Sequence, residues 1–252
     1  MSKLTAMRIA CLLLLAGLSG TAVAAEIALA IPKGGRIGII DMVRPDVTHF
    51  HVGSTPVKSF LRTYRASWSV ADVIDQPLIA SLTAMGLKPI QLRPSERLQR
   101  EKQSWFVSRP DSDKLPRGCL RELEKVITDG GLSALIIVAA GQNVSPAEEA
   151  GERLRQLPDY IRGWGFSTSD DIDGRTKPLV FNLTQLLLVS KTTDGVRLEH
   201  RQWGGSQLYA WPNFVPAPDM KAMSAADIAK LRPVITDVMK RQIEAFVPYL
   251  RP

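Results

Sequence analysis

The strongest pattern along the chain is Ala134 to Ala140 (ALIIVAA), a continuous apolar run bounded by Gly130-Gly131 and Gly141. A short apolar run between glycines predicts a strand buried on both faces. Arg36 to Val43 (RIGIIDMV) repeats the pattern after Lys33-Gly34-Gly35. Val47 to Gly53 alternates instead, and Arg44-Pro45-Asp46 between them reads as a turn, so the two segments together predict a hairpin. Residues 57–67 read as extended or irregular.

Helical spacing appears next. Ile74, Leu78, Leu82 and Met85 fall on one face of a helix over Val70 to Met85, which Gly86 stops and which Pro77 kinks or restarts. Leu87 to Leu92 is a strand, and Pro94-Ser95-Glu96 opens a polar helix. Arg109 to Pro116 is a loop, followed by an amphipathic helix over Gly118 to Asp129. Ser145-Pro146-Ala147-Glu148 carries the cap, first-turn proline and acid of a short helix. Leu179 to Ser190 and Gly195 to Trp203 flank Asp194-Gly195, a hairpin signal. Ser224 and Asp227 cap a last helix, broken or restarted at Pro233 and ended at Pro248. The order β-β-α-β-α-α-β-α-β-β-α predicts one α/β domain, α+β-like, with helices packed on a mixed sheet and hairpins near both ends.

Residues 1–25 stand apart. Lys3 and Arg8 precede the apolar run Ile9 to Leu18, and Ala22-Val23-Ala24 supplies small residues for cleavage. This is the pattern of a secretory signal peptide, and the run is too short for a permanent membrane span. The reading is therefore a signal peptide over 1–25 and a single domain over 26–252, periplasmic or secreted, with no transmembrane segment after cleavage. About 227 residues remain, carrying 30 basic and 25 acidic side chains. Hydrophobic residues make up 45% of the whole chain and charged residues 23%, which excludes a disordered or collagen-like protein. Cys11 leaves with the signal, so Cys119 has no intramolecular partner: it is buried on its helix's apolar stripe, bridged to another chain, or reactive.

Candidate chemistry is sparse. His49 and His51 stand two apart in a predicted strand and leave the same face, an arrangement that chelates a metal when a third ligand joins. His200, the remaining histidine, is the candidate third ligand, with Asp41, Asp46 and Glu199 as candidate supporting carboxylates. The alternative is a hydrogen-bonded structural pair needing no cofactor, zinc being the metal if there is one. Asp170-Asp171-Ile172-Asp173-Gly174 lacks the ligand spacing of a calcium loop. Gly34 to Gly38 lacks the dinucleotide fingerprint, and Gly53-Ser54-Thr55 lacks the hydrolase elbow.

Trp203 to Met220 concentrates Trp203, Tyr209, Trp211 and Phe214 among Pro212, Pro216 and Pro218, with almost no charge. Such a segment either folds down over the sheet or offers rigid aromatic anchors to a partner. Tyr160, Trp164 and Phe166 form a second aromatic group that would complete a groove beside it. Arg93, Arg97, Arg100 and Lys102 cluster on the polar helix, with Lys240 and Arg241 on the last one. These are solvated helix faces, or a docking face for anionic lipid or wall polymer. No nucleic-acid motif is present.

The strand Leu183 to Ser190, the turn Thr193-Asp194-Gly195, the strand to Gln202 and the amphipathic helix Ala225 to Leu250 resemble the small α/β domains of bacterial envelope proteins. Those are the domains similar to the TolB N-terminal domain and to curli-secretion lipoproteins. The likeness covers the last third and the general order of elements, without the lipoprotein cysteine. It implies a binding or assembly role in the envelope, supplies no catalytic residues, and is an analogy of fold. The expectation is a non-catalytic envelope protein binding a protein or polymer partner. The alternatives are a small metal-dependent His-x-His enzyme and a basic docking module.

Overall fold

A computed structural model describes residues 28–106, 114–141, 161–170, 176–204, 208–217 and 219–251. The signal-peptide reading, the helix expected at Ser145, Tyr160 and most of the acidic loop after Asp170 lie outside the described residues.

The strands are β1 (Leu29–Ala30), β2 (Arg36–Asp41), β3 (Asp46–Val52), β4 (Phe60–Arg65), β5 (Lys88–Leu92) and β6 (Ala134–Ala140). They continue as β7 (Gly163–Asp170), β8 (Thr176–Thr192), β9 (Gly195–Trp203), β10 (Leu208–Ala210) and β11 (Leu250–Arg251). The helices are α1 (Val70–Val73), α2 (Asp75–Ala84), α3 (Glu96–Phe106), α4 (Arg117–Gly130), α5 (Ala225–Ala229) and α6 (Arg232–Phe246). They form a single α/β-type domain, as the sequence pattern predicts: β2 to β10 make a mixed nine-stranded sheet with helices on it, and β1 pairs with β11 in a separate two-stranded parallel sheet.

The sheet is organised around β8. Residues 184–190 of β8 pair with β6, and residues 176–183 pair with β7, both antiparallel. On its other side β9 covers residues 185–192 and β10 covers 179–181. Beyond β6 lie β2 and β5, both parallel to it; beyond β7 lie β3, parallel, and β4, antiparallel to β3. Hence β6 and β7 run end to end in one direction, and so do β2 and β3. Four strand lines, β9/β10, β6/β7, β2/β3 and β5/β4, are interrupted at one level of the sheet, and β8 runs through.

This corrects the expected first hairpin. Arg44-Pro45-Asp46 does not reverse the chain: β2 and β3 do not pair with each other, and the segment only breaks one strand line. Of the extended or irregular alternatives for residues 57–67, residues 60–65 take the extended one, as β4, β3's antiparallel partner. The strand β7 was not expected; its glycines and serines conceal the period, although Trp164, Phe166 and Thr168 alternate into the core. The Val70 to Met85 helix breaks at Ile74, not Pro77, and Pro77 sits in the first turn of α2, where its missing N–H costs nothing. The Asp194-Gly195 hairpin forms as expected, with Gly195 at φ 115.

Period two sorts the core into layers. Ile37 and Ile39 of β2, Ala134, Ile136 and Val138 of β6, and Leu186 and Leu188 of β8 share one cluster with Leu78 and Leu82 of α2 and Ile235, Met239 and Ile243 of α6. Ile40, Leu135, Ile137, Leu187 and Val189 face the other way, onto Leu98 and Phe106 of α3 and Cys119, Leu123 and Ile127 of α4. Cys119 is fully buried, and burial raises its thiol to about 12.

Interrupting strands frees backbone groups, and buried amides on either side of the break take them up. Gln242 of α6 donates to Thr184 O and to Gln202 O, 3.2 Å each, and accepts from Asn182 Nδ2 at 2.9 Å. Gln185 donates to Ala140 O at the end of β6 and to Phe106 O at the end of α3. Among the described residues no helix is long and apolar enough to cross a membrane.

Candidate ligand pocket at the strand break

A pocket of about 250 Å³ opens where the strand lines break. Its floor is the face of β3 and β4 that carries Asp46, Thr48, Leu61 and Thr63. One wall is Met42-Val43-Arg44, which leads from β2 into β3. The opposite wall is Ala139 and Ala140 at the end of β6, with Ile161, Arg162, Gly163 and Trp164 at the start of β7. Lys102 reaches it from α3. Gly163 enters β7 at φ 77, a left-handed conformation that glycine adopts without strain. The indole of Trp164 is fixed by an Nε1–H bond of 3.2 Å to Arg44 O and by Trp68, 4.8 Å away between ring centroids. The two walls are thereby tied together across the break. The pocket lies beside the carboxyl ends of parallel β2 and β6, the position where open α/β sheets bind ligands.

Behind that edge sit two acids. Asp41 ends β2, and its side chain accepts from Val43 N–H at 2.8 Å. Burial raises its carboxyl to about 7; the Val43 hydrogen bond and Lys102 oppose the rise, and nearby Asp75 adds to it. Asp75, in the first turn of α2, is also raised by burial against the opposing hydrogen bond that its Oδ2 accepts from Gln91 Nε2 at 2.9 Å. Its Oδ1 has no hydrogen-bond partner among the described residues.

The histidine pair is on the opposite face of β3 and is closed to solvent. His49 Nε2 and His51 Nδ1 each lie 2.8 Å from the hydroxyl of Thr168 on neighbouring β7. One hydroxyl has one proton, so it donates to one imidazole and accepts from the other. His49 stacks on Phe166 and His51 on Phe60, centroids 4.2 and 4.9 Å apart. Burial, then the neighbouring His51, lowers His49 to about 3. His200 lies elsewhere, on β9, stacked on Tyr249. Among the described residues no group of three or more His, Cys, Asp or Glu side chains is arranged to hold a metal ion. Of the candidate supporting carboxylates, Glu199 pairs with Arg197 at 2.8 Å, and Asp46 faces the pocket.

The aromatic residues separate into different environments. Trp211 is buried, edge-on to Phe166 at 5.0 Å, and Phe214 is half-buried, 4.9 Å from Trp211. Asn213 at φ 60 makes the turn that folds both rings inward. Trp211 and Phe214 therefore pack onto the core beside Phe166. Tyr209 faces the guanidinium of Arg241, and Trp203 that of Arg201. Among the described residues, Trp164 is the one of the named aromatics that lines the pocket. Sequence reasoning missed Arg44 and Arg162 as pocket residues: Arg44 sits in a segment read as a turn, and Arg162 precedes a strand with no visible period.

Comparison with known proteins finds no family model, no curated protein and no solved structure that matches the chain.

Proposed function

We propose that the protein is an exported domain of the bacterial cell envelope that binds a small ligand or ligand group without transforming it, at the pocket in the strand break. The observation that carries this is the pocket itself: an open cavity with apolar walls of Met42, Ile161 and Trp164 and a few convergent polar groups. The titratable groups that suggested catalysis, His49 and His51, are sealed beneath aromatic rings on the other face of β3. Export is supported by the charged, apolar and small-residue order of positions 1–25, and an envelope role by the resemblance of residues 183–202 and the last helix to envelope domains.

Ligand-observed NMR with a set of small aromatic and aliphatic fragments tests the reading. Thr63 is an exposed residue of the pocket floor on β4, so Thr63→Trp fills the cavity without disturbing the core. Fragments should bind the wild type and lose binding in Thr63→Trp. Equal binding to both, or binding to neither, contradicts the reading.

A further inference from the structure

Resting on that reading, we propose that the pocket takes a small organic anion, a carboxylate or phosphate on an apolar body of about benzene size, held by Arg44 and Arg162. The residues that line the pocket include three cationic ones, Arg44, Arg162 and Lys102, and one acid, Asp46. Asp46 stands directly across the β3–β4 ladder from Arg65, a cross-strand neighbour of opposite charge. Lys102 donates to Gln99 Oε1 at 3.1 Å and lies in the field of Asp41. Among the described residues neither Arg44 nor Arg162 has a carboxylate within ion-pair distance.

The two arginines belong to opposite walls, Arg44 to the β2–β3 break and Arg162 to the start of β7. The Trp164 indole bond to Arg44 O joins those walls. A planar guanidinium presents paired donors that match carboxylate and phosphate oxygens, and apolar walls strengthen such contacts by excluding water. Thr48 and Thr63 add hydroxyl groups on the floor. Volume limits the apolar part: about 250 Å³ exceeds the roughly 150 Å³ cavity known to hold benzene, leaving room for one ring or a short chain plus the anionic group.

Calorimetric titration of the mature chain with benzoate, phenyl phosphate and benzyl alcohol tests the proposal. Both anions should bind at least about ten-fold more tightly than benzyl alcohol, in line with charge-assisted hydrogen bonds. Arg44→Gln and Arg162→Gln should each weaken anion binding by about ten-fold and leave benzyl alcohol unchanged. The order of benzoate and phenyl phosphate tells carboxylate from phosphate. Benzyl alcohol binding as tightly as the anions overturns the anion assignment and leaves the pocket reading standing. Unchanged anion affinity in an Arg44→Gln, Arg162→Gln double variant that melts like the wild type also overturns it. No binding by any of the three overturns the pocket reading as well.

Discussion

The imidazole of His49 lies stacked on the ring of Phe166, its cross-strand neighbour in the parallel β3–β7 ladder, with centroids 4.2 Å apart and planes 22° from parallel. A histidine so enclosed stays neutral, and its ionisation state is coupled to folding. Its value falls from 6.5 to about 3 on folding, so between those limits the unfolded chain binds a proton that the native chain refuses. Stability from this group is lost as pH falls from about 6.5 toward 3, with a limiting slope of about 1.4 kcal/mol per pH unit.

Asp41 has the opposite sign. Its carboxyl rises from 3.8 to about 7, so the native chain holds the extra proton, and stability is lost as pH rises from about 4 toward 7. Asp75, raised in the same sense, adds to it. The slopes oppose each other between about pH 4 and 6.5. Asp41→Asn should therefore make stability climb more steeply with pH across this range, and His49→Gln should make it decline. Urea unfolding at several pH values measures both. Variants with the wild-type slope would show that neither group is held as described.

Trp211 and Phe214 separate packing from recognition. Trp211 is 5% exposed, wedged between Phe166 and Phe214, so Trp211→Ala should cost about 3–5 kcal/mol. Half-buried Phe214→Ala should cost clearly less. Denaturant midpoints decide this. A Trp211→Ala variant as stable as the wild type would return the segment to the role of an exposed anchor.

The break in the sheet depends on Gln242. Gln242→Leu keeps the side chain's approximate size, yet leaves Asn182 Nδ2 and two backbone carbonyls to find other partners. The expected loss is about 2–3 kcal/mol. Hydrogen exchange at Thr184 and Trp203 should accelerate more than exchange at Ile136, in the middle of β6. A uniform change across the sheet would contradict a local role.

Legibility in the sequence followed the strength of each local pattern. Ala134 to Ala140 and the Asp194-Gly195 turn announce a buried strand and a hairpin because continuous apolarity and a glycine-tolerant turn are local properties. The collinear course of β2 and β3 is not local. It depends on β6 and β7 aligning along β8, and Pro45 accommodates a break as readily as a reversal. The packing of Trp211 is not readable locally, since the ring it meets, Phe166, lies on a strand far from it in sequence. His49 and His51 leave one face as their spacing requires, but Thr168, their shared partner, is 117 residues from His51 in sequence. The pocket was least visible, since Arg44, Lys102 and Arg162 come from three separate segments that only the fork around β8 brings together.

A crystal structure of the protein grown with phenyl phosphate tests the binding site most directly. The phosphate should lie between the guanidinium groups of Arg44 and Arg162, with the ring against Trp164 and Ile161. An anion bound elsewhere, with the pocket empty at saturating ligand, would contradict it.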